Sequence, residues 1–261
     1  MRFKLTLSID KRERGNILPF NYQYELSSWI YKVLNEGDPI FSAWLHSQGY
    51  KTKEKPFRLF TFSNLLIESY KPNNDRMIIN TGQADLIISF LPTEAISPFI
   101  LGLFKDRHLV IGDKQSQVAF NVTAVESLPP ITFMKEMTFK TISPLFVDDI
   151  DHETGHKNYL SPESSNYSNL IHNNLLEKYR AFYKQDPDDA WPETKIEVIG
   201  TSKSKKITIK AGTDQSTELK AYLFTFHIKG CKELLEVGYY GGFGRENSQG
   251  FGCVEEIKKI K

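Results

Sequence analysis

The sequence predicts an α+β protein of two tandem ferredoxin-like domains, each in strand–helix–strand–strand–helix–strand order, over residues 1–130 and 131–261. Three observations predict it. Segments of two-residue alternation are interleaved with segments of helical period. The order of elements repeats once along the chain. At 40% hydrophobic residues, with 18 Phe and 12 Tyr, each half can bury a core. RNA-recognition modules share this order, with helices on one face of a sheet and the other face open. Such a fold does not by itself fix a function.

The first strand is clean: Phe3, Leu5, Leu7 and Ile9 fall on one face and Lys4, Thr6 and Ser8 on the other. Residues 23–35 follow as a helix with Leu26, Ile30, Val33 and Leu34 in one stripe, ended by Gly37. Asp38-Pro39 starts a second short helix to about Ser47, as an N-cap followed by proline at the first helical position. Leu59 to Ile67 reads as a strand. Pro72 to Asp75 is a turn, and Met77 to Phe90 supplies a strand or two. Residues 94–105 suit a helix, and 108–124 are β-rich. In the second half, Met137 to Val147 is strand-like and 148–164 a polar loop. Residues 165–184 form a helix with Leu170, Ile171, Leu175, Tyr179 and Phe182 as its stripe. Strands follow at Ile196–Ile199, Lys206–Ile209 and Ala221–Ile228, then a short helix over 231–237 and a closing strand over Gly252–Ile257.

Composition excludes several classes. Cys231 and Cys253 alone cannot make a disulfide scaffold or a four-cysteine zinc cluster, which suits a reducing, cytoplasmic setting. The alternating N-terminus is no signal peptide, and no apolar run approaches a membrane span of roughly 18 residues. The net charge of +1 hides a pattern. Residues 1–140 carry 17 basic and 14 acidic residues (+3), 148–189 carry 4 and 9 (−5), and 190–261 carry 12 and 9 (+3). An acidic middle masks two mildly basic flanks.

Residues 238–252 hold six glycines in fifteen, including Gly242-Phe243-Gly244 and Gly250-Phe251-Gly252. Glycine permits positive φ and close backbone approach, and successive N–H groups in such turns can cradle an anion. Arg245 adds a fork-shaped cation suited to phosphate. A plain glycine-rich hairpin fits the composition equally well. A Walker loop does not, because its lysine and preceding strand are missing.

The spacing Gly-aromatic-Gly, five residues including a basic one, then Gly-Phe-Gly near the C-terminus resembles the signature loop of the RAMP superfamily of CRISPR proteins. The two-domain, single-chain form resembles the endoribonucleases that cut precursor CRISPR RNA within its repeats. Leu18 to Tyr24 leading into the first helix, Ser143-Pro144-Leu145, and Tyr159 to Pro162 before a helix agree with that family over nearly the whole chain. The resemblance implies a metal-independent endoribonuclease without a cofactor. Its expected partner is CRISPR repeat RNA, either free or within a larger interference complex, and the chain acts as monomer or homodimer.

On the helical wheel Tyr31 lies about 140° from Leu26, beside the apolar stripe, and His46 lies about 140° from Phe41 in the last turn of its helix. Imidazole titrates near neutrality, as general acid–base catalysis needs. By themselves these are an amphipathic boundary residue and a surface histidine. The resemblance assigns Tyr31 and His46 to the family's catalytic tyrosine and histidine. The family's lysine precedes a Leu-Phe-Thr-aromatic-Ser strand; here Arg58 stands before Leu59 to Ser63. Arg58 is the third catalytic candidate, with Lys53 or Lys55 as alternatives. RNA contacts are expected from Arg245, Gly242, Gly244, Gly250 and Gly252, from Lys51, Lys53 and Lys55, and from Lys203, Lys205 and Lys206. No metal motif is expected; His152 and His156 lie in a polar loop. Two other readings stay open: a catalytically silent RNA-binding scaffold of the same superfamily, and a small-molecule binding protein that uses the glycine loop.

Overall fold

The alternation read at the N-terminus becomes β1 (Arg2–Asp10), the middle strand of the first sheet in a computed structural model that describes residues 1–52, 55–150, 157–209, 214 and 216–258. Its apolar side, with Leu5 and Leu7 fully buried, packs beneath two helices. These are α1 (Gln23–Gly37) and, after the short α2 (Pro39–Ser47), α3 (Ile96–Lys105). The remaining strands of that sheet are β2 (Phe60–Phe62), β3 (Gln83–Phe90), β4 (His108–Gly112) and β5 (Gln117–Leu128). Their order is β2-β3-β1-β5-β4, all antiparallel. The second sheet is β7-β8-β6-β9, from β6 (Glu136–Thr141), β7 (Lys195–Ile209), β8 (Thr217–Lys229) and β9 (Val254–Glu256). Its helices are α4 (Tyr167–Tyr183) and α5 (Lys232–Gly241). Both sheets therefore place the second, third, first and fourth strands of a βαββαβ unit side by side, with β4 added at the edge of the first.

Local chemistry explains the boundaries. Asp38 caps α2 as expected, its carboxylate accepting from the N–H groups of Ile40 and Phe41 at 3.0 Å each. Gly37 and Gly102 let α1 and α3 touch backbone to backbone: a Cβ on either would lie 1.8 Å from a carbonyl oxygen of the other helix. Gly238 and Gly241 carry α5 past the expected end at residue 237. Packing overrides propensity there, since a side chain on Gly238 would strike the Phe243 ring.

Four expectations need correcting. The strand expected over Leu59–Ile67 shrinks to Phe60–Phe62, followed by an isolated bridge at Leu66; at the front it stops because Leu59 takes a left-handed φ of 53°. The strand expected to Val147 stops at Thr141, before Ser143-Pro144. The expected loop at 148–164 contains a two-stranded ribbon, Asp148–Ile150 with Lys157–Tyr159; residues 151–156, with His152 and His156, lie outside the described residues. The two strands expected at 196–209 are one, β7, with a register shift between Ile199 and Lys203.

The open sheet face is also partly closed. Buried Arg2 donates to the Val254 carbonyl at 2.6 Å and stacks 4.0 Å above Tyr239. Thr61 donates to the Phe251 carbonyl at 2.9 Å. The two halves thus share one hydrophobic cluster running from Phe3 to Val254. No described helix is long and apolar enough to cross a membrane.

Candidate active site

The junction of the halves leaves a cleft of about 380 Å³. Tyr31 on α1 and His46 on α2 reach it from one side, with Lys55 and Arg58 from the segment that follows α2. Gly244 to Gln249 line it from the other. Asn174 and Lys178 on α4, with Asp148, complete the wall.

Each side chain has a reason to be there. Tyr31 is half-buried, edge-on to Phe60 at 5.5 Å and to His46 at 5.2 Å. Burial pushes its phenol above the ordinary value. The Arg58 charge and the polar side chains of Ser248 and Arg58 pull the other way. His46 is exposed in the last turn of α2, off the packed face as expected. Arg58 Nη2 donates to the His46 carbonyl at 2.6 Å, capping the helix end with a cation. Gly49 makes this possible: with φ of +60°, a Cβ there would lie 2.5 Å from the Phe57 carbonyl and 3.1 Å from Arg58 Nη1. Leu59, left-handed and buried, sends its own side chain into the core directly after Arg58.

The glycine loop uses its backbone mainly to hold itself. The N–H groups of Phe243, Arg245, Gly250 and Gly252 donate to the carbonyls of Gly252, Phe146, Asn247 and Pro144. Gly242, Gly250 and Gly252 have φ of +89°, +89° and +74° and lie behind the cleft; Gly244 alone of the four expected glycines lines it. Arg245 Nη1 sits 2.7 Å from the Asp148 carboxylate, off-angle for a hydrogen bond, so it is partly neutralised by an ion pair.

Lys178 is not among the expected site residues. It is 1% exposed, and its ammonium donates to the carbonyls of Gly242 (2.6 Å) and Gly244 (2.7 Å) and to Asn247 Oδ1 (2.7 Å). Burial, joined by the charges of Lys55 and Arg245, pushes this amine toward its neutral form. Three acceptors that consume all three of its protons oppose that push. A signal existed: Lys178 follows Ile171 and Leu175 by seven and three residues, in the middle of the α4 apolar stripe. A lysine there must find buried acceptors. Asn174, one turn earlier and 7% exposed, has no hydrogen-bond partner for either end of its amide among the described residues.

The other expected cations are dispersed. Lys55 lines the cleft beside Glu177, at 3.4 Å. Lys51 is exposed and does not line it; Lys53 lies outside the described residues. Lys203, Lys205 and Lys206 are exposed on β7, away from the cleft. Lys205 and Lys206 border a separate shallow pocket with Lys220 and Tyr159, and Lys206 pairs with Glu218 at 2.8 Å. Among the described residues no three His, Cys, Asp or Glu side chains are grouped to hold a metal ion.

Comparisons with known proteins bear on this arrangement. The family model for the N-terminal part of CRISPR-associated protein Cas6 matches residues 17–125, and that for the C-terminal part of the same protein matches residues 127–256. The chain is 32% identical to CRISPR-associated endoribonuclease Cas6 1 of Methanocaldococcus jannaschii, over 99% of this chain and 93% of that one. A solved Cas6-related protein from Pyrococcus furiosus superposes with a TM-score of 0.82 at 25% identity, covering 99% of both chains. A second solved structure, described as a RAMP protein binding different RNA substrates, gives a TM-score of 0.80 at 25% identity over 99% of this chain and 100% of that one. With both halves matched in order and the whole length covered by a relative, the chain belongs to the Cas6 family of CRISPR-associated proteins.

Proposed function

We propose that the protein is a metal-independent endoribonuclease that binds CRISPR repeat RNA and cuts precursor CRISPR RNA in this cleft. The observation that carries the reading is the convergence of Tyr31, His46 and Arg58 on one wall, facing the glycine loop. Family membership and the relative named an endoribonuclease support it. The unpaired amide of Asn174 fits a site that a ligand completes.

The ribose 2′-hydroxyl attacks its own 3′ phosphate. The P–O2′ bond forms and the P–O5′ bond breaks, leaving a 2′,3′-cyclic phosphate and a 5′-hydroxyl. His46 accepts the 2′ proton or donates one to the departing 5′ oxygen. Tyr31 orients the reacting phosphate, and Arg58 offsets charge on the five-coordinate phosphorus. DNA lacks the nucleophile and is not cut. Residues 1–130 form the catalytic domain and 131–261 the domain that brings the glycine loop. Arg245, Gly244, Lys51, Lys53 and Lys55 contact phosphates near the cut. Gly242, Gly250 and Gly252 shape the loop, and Lys203, Lys205 and Lys206 hold RNA further along.

The test incubates repeat RNA with wild type and His46→Ala in EDTA. Wild type should cut, and the variant should be slower by about 10²- to 10⁴-fold. No cleavage by wild type despite tight RNA binding would make the protein a silent scaffold. Equal cleavage by both would remove His46 from the reaction.

A further inference from the structure

Asn174 stands on the lining of the cleft. It is 7% exposed, and among the described residues neither its Nδ2 nor its Oδ1 has a hydrogen-bond partner. Its place is fixed. On α4, Ile171 and Leu175 beside it are fully buried, and Lys178, one turn later on the same face, is tied to the glycine loop by three bonds. Its cleft neighbours are already engaged: Lys178 gives its three protons to the loop, Arg245 faces Asp148 at 2.7 Å, and Lys55 faces Glu177 at 3.4 Å. Another amide on the lining, Gln249, has its Oε1 buried and unpaired too. A buried amide with both ends empty costs free energy, which a ligand that pairs both ends recovers.

We propose that Asn174 is a specificity-determining residue: both ends of its amide read the edge of one nucleobase, unstacked beside the scissile phosphate. The inference rests on the reading of the cleft as the site of cleavage. The ligand class follows from the chemistry of the amide. It offers a donor and an acceptor side by side and carries no charge. A phosphate only accepts, so it would pair Nδ2 and set its own oxygens against Oδ1. A nucleobase edge presents a donor next to an acceptor and pairs both atoms at once. Single-stranded RNA is read in this way, through bases splayed out of the stack. The narrow approach to a side chain 7% exposed also suits a flat base edge better than a tetrahedral phosphate.

The test measures single-turnover cleavage of repeat RNA by the full chain, with each nucleotide flanking the cut made abasic in turn and its 2′-hydroxyl kept. Wild type should lose about 5- to 100-fold at one of these positions, the worth of one two-pronged amide–base pair. Asn174→Leu, close in shape and unable to bond, should lose a similar factor on intact RNA and nothing further when that base is absent. Free of RNA it should melt no lower than wild type, because an unpaired amide gives way to an apolar group of like shape. The inference is overturned if no flanking base matters to wild type, if Asn174→Leu cleaves intact RNA like wild type, or if the abasic loss persists in full in the variant. It is overturned too if Asn174→Leu slows all these RNAs alike and melts lower, which would make the amide structural. A wild-type loss that follows a methylphosphonate and not a missing base would make the partner a phosphate and overturn it as well. Wild-type rates for His46→Ala would instead overturn the assignment of the cleft, which separates the two failures.

Discussion

Replacing Lys178 with methionine keeps the alkyl stem in its channel and deletes the ammonium. Three acceptors lose their donor together: the carbonyls of Gly242 and Gly244 and the Asn247 amide oxygen, all at 2.6–2.7 Å. With the side chain 1% exposed, water cannot take over without opening the loop. Each lost bond to a charged donor is worth about 1.5–3 kcal/mol, but the three share one group and do not add. Each buried neutral acceptor left unpaired costs about 1–3 kcal/mol, and three that do not add fully set the expected loss at about 3–5 kcal/mol. At about 2–4 °C per kcal/mol for a chain near this size, the melting temperature should fall by roughly 6–20 °C. Urea unfolding of wild type and Lys178→Met measures the same quantity with less dependence on reversibility at high temperature. The cleavage rate of the folded fraction should fall as well, because the loop that lines the cleft loses its anchor. A loss below about 1 kcal/mol would refute the reasoning. It would mean that Asn247 and the loop's own backbone bonds hold the turn, and that Lys178 is merely accommodated.

Gly252→Ala should cost about 3 kcal/mol or more by urea unfolding: its Cβ would lie 1.9 Å from the Phe243 carbonyl, at a φ of +74° that disfavours any L side chain. Arg58→Ala should slow single-turnover cleavage by about 10²-fold, as for the loss of one charge-stabilising donor, with little change in melting temperature. The Asp113 carboxyl is held well below its ordinary value of 3.8 by a two-pronged bond from Arg76, at 2.9 and 2.7 Å. A depressed carboxyl stabilises the fold fully above its unfolded value and loses that contribution as pH falls below about 3.8, so Arg76→Met should flatten the acid limb of a stability–pH curve. Because Asp113 is partly exposed, the effect should also shrink in high salt.

Local order was legible wherever short-range chemistry decides it. Asp38-Pro39 announced α2, alternation announced β1, and the 3.6-residue stripe announced α1 and α4. The errors cluster where a distant contact overrules a local preference. Gly238 in α5 persists because the Phe243 ring fills the space of its side chain. Leu59 breaks a strand-like run through a left-handed φ that nothing near it in sequence requires. In the site, Tyr31 and His46 were placed off the packed faces of their helices from the wheel alone, and the resemblance supplied the roles. The composition of the glycine loop fits an anion cradle and a plain hairpin equally; much of its backbone closes on itself, on Pro144 and Phe146, and on Lys178.

By itself the sequence determined the two βαββαβ units, because periodicity, caps and turn residues act over a few positions. It also determined that basic charge lies in the flanks and not in the middle. The tertiary structure decided what those units make together. It spent the open face of the first sheet on the second half. It tied Arg245 to Asp148, and it moved Lys203, Lys205 and Lys206 away from the cleft. It brought Ser248 to a residue more than 200 positions earlier in the chain, and Lys178 to a loop more than 60 positions later. Those outcomes depend on which surfaces meet and which buried polar groups must then find partners, and no local pattern encodes that.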